Sequence, residues 1–96
     1  MPDSSDYVRI QYTVYGEVQA VGFRYTASMV ARSLGLTGFV RNEYDGSVTL
    51  TVQGLESRVA MVIPSIEKSS RWIVIDRVEK KSLPVDVHET TFEVKY

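Results

Sequence analysis

Two short stretches of the sequence hold residue types and spacings suited to an anion. The first, Gly16-Glu17-Val18-Gln19-Ala20-Val21-Gly22-Phe23-Arg24, joins an alternating segment to a helical one. A loop of small residues entering a helix N-terminus aims several unpaired backbone N–H groups at one point, and the helix dipole adds partial positive charge there. A phosphate or a carboxylate is the guest such a loop expects. Arg24 falls in the first helical turn, beside the apolar stripe and not in it. Its guanidinium can fork two donors onto the same anion. On residue types alone, a plain strand–helix connection with Arg24 paired to a surface carboxylate accounts for this stretch somewhat better. The second stretch is Gly38-Phe39-Val40-Arg41-Asn42, running into a turn. An isolated Asn before a turn ordinarily closes an Asx turn. Beside an anion cradle, the same amide can hold a water for in-line attack on phosphorus.

The elements that must position these residues follow from periodicity. Val8, Ile10, Tyr12 and Val14 alternate with polar residues and predict a half-buried strand. Phe23, Ala27, Val30, Ala31 and Leu34 form one stripe at helical spacing, with Gly35 just past it as the expected cap. Phe39 and Val40, then Val48, Leu50 and Val52, predict two strands around an Asp45-Gly46 hairpin turn. A second helix is expected after Gly54, with Val59, Val62, Ile63 and Ile66 on one face, kinked or broken at Pro64. Trp72 to Val78 reads as a strand, Lys80 to Thr90 as a polar loop, and Phe92, Val94 and Tyr96 alternate in a last strand. The order predicts an α+β fold, the ferredoxin-like split βαβ sandwich. It has an antiparallel four- to five-stranded sheet with two helices on one face. In that layout the first strand and the strand ending at Asn42 are expected to be neighbours, which brings Asn42 to the Gly16–Val21 loop. Residues 1–6 are expected to be a flexible tail and 7–96 a single domain.

Composition excludes whole chemistries. The chain has 96 residues, 44% of them hydrophobic and 24% charged, which suits one globular domain. Eleven Lys and Arg against twelve Asp and Glu leave a net charge of -1, which argues against holding nucleic acid by charge. The absence of cysteine removes disulfides, thiolate metal sites and cysteine nucleophiles, and the single His88 leaves little for a histidine metal site. The acidic start, MPDSSDYV, lacks a secretory layout, and a cytoplasmic address is expected.

The two stretches resemble the signatures of the acylphosphatases. Gly16, Val18, Gln19, Val21, Phe23 and Arg24 are similar to the first signature. Gly38-Phe39-Val40-Arg41-Asn42, followed by Gly46, Val48 and Gly54, is similar to the second. The resemblance extends from about Tyr7 to Tyr96. It implies hydrolysis of the carboxyl–phosphate bond of acyl phosphates to a carboxylate and inorganic phosphate, with no metal or other cofactor. It implies that Arg24 binds the phosphoryl group together with the loop of Gly16, Glu17, Val18, Gln19, Ala20 and Val21, and that Asn42 orients the attacking water. A small-molecule acyl phosphate, no nucleic acid, no membrane and a monomeric state complete that expectation. Ala20 departs from the family pattern, which usually has a glycine there. If the backbone at Ala20 takes a positive φ, alanine costs roughly 1–2 kcal/mol relative to glycine. The methyl is expected to point away from the anion, leaving the site intact.

Two other classes stay open on sequence grounds. One is a non-catalytic anion- or acyl-phosphate-binding module of the same fold, which Ala20 keeps alive. The other is an RNA-binding sheet, disfavoured because the outward positions Arg9, Gln11, Thr13, Thr49 and Thr51 include no aromatic to stack a base. Asp86, His88 and Glu89 are read as solvated loop residues and not as metal ligands, and Trp72 as a packing residue at the rim.

Overall fold

The computed structural model describes residues 6–96; most of the expected tail, residues 1–5, lies outside the described residues. The alternation from Tyr7 becomes β1 (Tyr7–Glu17) and the apolar stripe becomes α1 (Phe23–Ser33). β2 (Thr37–Asn42) and β3 (Val48–Leu55) form the expected hairpin. The second helix is broken into α2 (Glu56–Val59) and α3 (Val62–Ser69). The break lies at Ala60 and Met61, ahead of Pro64, which sits in the first turn of α3. There a missing N–H costs nothing, whereas a helix running on from α2 would set the ring against the Ala60 carbonyl.

β4 (Val74–Leu83) and β5 (Phe92–Lys95) complete a sheet of order β4-β1-β3-β2-β5. Three of the pairings are antiparallel, and β5 runs parallel to β2. Three sequence expectations need correction. The strand ending at Asn42 is not next to β1, because β3 lies between them. The strand expected from Trp72 starts at Val74. It also continues through Lys80 to Leu83, which had read as loop. Those residues pair with Tyr12 to Arg9 of β1 on a solvated edge, so they carry charges in place of an apolar alternation.

One face of the sheet holds the core. Tyr12, Val14, Val40, Leu50 and Val52 pack against Phe23, Ala27, Val30 and Ala31 of α1 and Val62 and Ile66 of α3. Fully burying a side chain such as Phe23, Leu50 or Ile66 contributes roughly 1.5–3 kcal/mol each. On the other face, residues 84–91 cross from the β4 edge to the β5 edge. Gln53 and Asp86 exchange two hydrogen bonds, at 2.9 and 2.7 Å. Glu89 accepts from Arg9 at 2.8 Å and from the Thr37 hydroxyl at 2.7 Å. Thr49, Thr51 and Gln53 are buried on this face, so it offers no open base-stacking platform.

Candidate active site

The loop after β1 is shaped by two close approaches. A bulge separates Tyr15 from Gly16, and Gly16 and Glu17 still pair with Ile75 and Val74 of β4. A Cβ on Gly16 would run into the Val74 carbonyl oxygen, so only glycine fits where the strands draw together. The turn proper is therefore Val18 to Gly22, with the Val18 side chain buried as its anchor. Ala20 has φ 62°, the only non-glycine residue in the left-handed region among the described residues. The positive φ raised from sequence is present, and the exposed residue lines the cavity described below. Ala20→Gly is expected to raise stability by up to about 1 kcal/mol, the relief of φ strain less the added unfolded-state entropy. It should change kcat/KM less than about threefold; thermal melts and acyl phosphate turnover check both, and a much larger rate would show that the methyl distorts the cradle.

Gly22 caps α1 without any side-chain hydrogen bond, and no acidic residue lies in the first turn. The N-terminal N–H groups of α1 thus lack a side-chain cap, with the dipole unopposed and Arg24 adding full positive charge. The loop reaches across β3 to the β2–β3 hairpin through one side chain. Gln19 Nε2 donates to the Glu43 carbonyl at 2.7 Å and to the Ser47 carbonyl at 2.9 Å. This bridge explains how loop and hairpin meet although β1 and β2 are not neighbours. Gln19→Ala removes both bonds but leaves each carbonyl a backbone donor, the Gly46 N–H for Glu43 and the Glu43 N–H for Ser47. It is therefore expected to lower stability by about 1–2 kcal/mol. It should also lower kcat while phosphate inhibition stays within about threefold, because the cradle keeps its own donors but loses its fixed distance from the water at Asn42; turnover measured with a phosphate titration checks this.

The hairpin is itself tied by carboxylates. Asp45 Oδ1 accepts from the Ser47 N–H at 2.9 Å and from its hydroxyl at 2.5 Å, so the Asx turn belongs to Asp45 and not to Asn42. Glu43 accepts from the Thr49 hydroxyl at 2.6 Å and from Arg41 at 3.0 Å. Bonding to Thr49 and then Arg41 holds the Glu43 carboxyl below its usual value, and the Ser47 hydroxyl and N–H do the same for Asp45. A carboxyl depressed in the folded state adds stability above its unfolded pKa and loses it as pH falls through the folded pKa. Stability should therefore drop below about pH 4, and Glu43→Gln with Asp45→Asn should flatten that acid limb in pH-dependent melts.

Asn42 and Arg24 meet in one cavity of about 420 Å³. Register sets Asn42 opposite Val48, which in turn faces Val14, so its side chain shares the helix-facing side with two fully buried valines. Its Oδ1 is buried and has no hydrogen-bond partner among the described residues. Arg24 makes no ion pair among the described residues: it donates to the Lys95 carbonyl at 3.1 Å and lies over the Tyr96 ring at 4.6 Å. The surface carboxylate that residue types alone suggested for Arg24 is not its partner. Ala20 and Gly22 of the turn line the same space, as do Ser28, which the sequence offers only as a hydroxyl with no activating partner, and Arg32 and Tyr96, which it does not mark as site residues. The spacing of Arg24, Ser28 and Arg32 on one helical face was the available signal.

The remaining polar features have structural partners. Asp86 Oδ1 accepts from the His88 N–H, and Glu89 is held by Arg9 and Thr37. No group of three His, Cys, Asp or Glu among the described residues is placed to hold a metal ion. Arg71 stacks over Trp72 at 4.9 Å, and Trp72 is exposed.

Comparisons with known proteins bear on this geometry. A family model described as Acylphosphatase matches residues 10–94. The chain is 37% identical over 89 residues to an acylphosphatase of Clostridium beijerinckii, covering 93% of this chain and 99% of that protein. It is 40% identical over 88 residues to an acylphosphatase of Oceanobacillus iheyensis, covering 91% and 97%. The crystal structure of acylphosphatase from Bacillus subtilis superposes with a TM-score of 0.85 at 26% identity, over 93% of this chain and 99% of that one. The chain belongs to the acylphosphatase family of acyl phosphate hydrolases.

Proposed function

We propose that this chain hydrolyses acyl phosphates by in-line attack of water on phosphorus. The phosphoryl group sits against the backbone of residues 17–21, the N-terminus of α1 and the Arg24 guanidinium, and Asn42 orients the water. The observation that carries this reading is the Oδ1 of Asn42, buried and without a partner among the described residues, in the same cavity as Arg24 and the turn. An orphaned buried acceptor is costly, and a water O–H is the donor that satisfies it. That bond turns a lone pair of the water toward the phosphorus. The water oxygen–phosphorus bond forms as the bond from phosphorus to the carboxylate oxygen breaks. The carboxylate leaves with the electron pair, and a phosphate oxygen takes the water's proton.

No side-chain base is required. A carboxylate is a good leaving group, and phosphoryl transfer through a loose transition state needs positioning and charge stabilisation above all. Arg24 and the backbone N–H groups supply that charge, and turnover is expected to persist in excess chelator. The strained Ala20 favours a second reading, a module that binds the anion without turning it over. Hydrolysis of benzoyl phosphate in ¹⁸O-water separates the possibilities. The proposal expects one label in inorganic phosphate and none in benzoate. Label in benzoate would place the attack on carbon and overturn it, and a folded protein without turnover would favour the binding module.

A further inference from the structure

The cavity that holds Arg24 and Asn42 contains a second cation that the proposed mechanism does not use. Arg24, Ser28 and Arg32 share one face of α1, and Val94 of β5 and Tyr96 beyond it form the facing wall. Arg32 donates to the Phe92 carbonyl at 2.9 Å and to Ser28 Oγ at 3.3 Å, while Arg24 donates to the Lys95 carbonyl. Those two carbonyls are three residues apart on β5, which sets the guanidinium groups roughly 10 Å apart. The rise along α1 between the two arginines, roughly 12 Å, agrees.

Among the described residues both guanidinium groups have only neutral partners, and no Asp or Glu lines the cavity. Elsewhere Arg9, Arg41 and Arg77 each pair with a glutamate. Two uncompensated cations facing one cavity, in a chain of net charge -1, fit a guest with an anion at each end. Ser28 Oγ accepts from Arg32, and its own proton has no acceptor among the described residues. A guanidinium and a free hydroxyl side by side match the two oxygens of one carboxylate.

Resting on the proposed function, we infer that Arg32 and Ser28 form a subsite for a carboxylate at the far end of the acyl group. The favoured substrates are then acyl phosphates of dicarboxylic acids, held by the phosphoryl group at Arg24 and by the carboxylate at Arg32. Arg32 acts here as a specificity-determining residue and takes no part in bond making.

The test compares 4-carboxybenzoyl phosphate with 4-methylbenzoyl phosphate, which differ only at the end facing Arg32. The wild type is expected to favour the carboxylate by about tenfold in kcat/KM, mostly through KM, with the ratio falling as salt screens the pair. Arg32→Gln should bring the ratio to about one, and Arg32→Lys should restore part of it, since a point charge replaces a fork. Arg58→Gln serves as the control: Arg58 also bonds a neutral carbonyl, that of Leu34, but lies outside the cavity, and the ratio should persist. A wild-type ratio near one, or a ratio unmoved in Arg32→Gln, overturns this inference while both substrates still turn over. Hydrolysis of neither substrate by folded wild type overturns the proposed function itself, and the subsite with it.

Discussion

Arg24→Ala is expected to lower kcat/KM on an acyl phosphate by about 10³-fold or more, in line with the effect of removing a transition-state arginine in phosphoryl transfer. Stability should hardly change. The side chain is tied only to the Lys95 carbonyl and stacked over Tyr96, at the cavity mouth where water can replace it. Arg24→Lys should recover little of the lost rate. A lysine carries the charge but cannot fork two donors onto the phosphoryl oxygens while keeping a bond to Lys95. Steady-state kinetics beside a thermal melt checks both halves. A correctly folded Arg24→Ala with near-normal turnover would remove Arg24 from the mechanism.

Asn42→Ala is expected to cost about 10²–10³-fold in kcat, the range found when one preorganised transition-state donor or positioning group is lost. Its effect on the fold should be small. The Asn42 side chain makes no hydrogen bond within the described residues, so truncation leaves no protein group without its partner. The variant should melt within about 3 °C of wild type. A large loss of turnover with little loss of stability is what an acceptor kept for the substrate water predicts. Asn42→Asp should fail in a different way, by placing a carboxylate beside the phosphoryl charge.

Much of this arrangement was legible in the sequence, for reasons particular residues make clear. The alternation from Val8 to Val14 and the stripe from Phe23 to Ala31 are decided by burial against one another, so periodicity reports them directly. The Asp45-Gly46 turn was equally plain, although the Asx turn belongs to Asp45 and left Asn42 free. What did not show was set by tertiary pairing. Lys80 to Leu83 form a strand because β1 is there to pair with, not because of any apolar pattern of their own. The parallel placement of β5 depends on residues 84–91 crossing the sheet through Gln53–Asp86 and Arg9–Glu89, contacts between residues far apart in sequence. Gln19 was placed in the anion loop, but its side chain serves as the bridge to the hairpin. A polar residue at an inward position, Asn42 two places after the buried Val40, was the local sign that this amide faces the site.

The most direct test of the division of labour measures kcat and the inhibition constant for inorganic phosphate side by side in wild type, Arg24→Ala and Asn42→Ala. Phosphate here stands in for the transferred group. If Arg24 holds the phosphoryl group and Asn42 holds only the water, Arg24→Ala loses both turnover and phosphate inhibition. Asn42→Ala then loses turnover while phosphate still binds within about threefold of wild type, since the cradle donors remain in place. Loss of phosphate binding in Asn42→Ala, or its retention in Arg24→Ala, would contradict the assignment of the two roles.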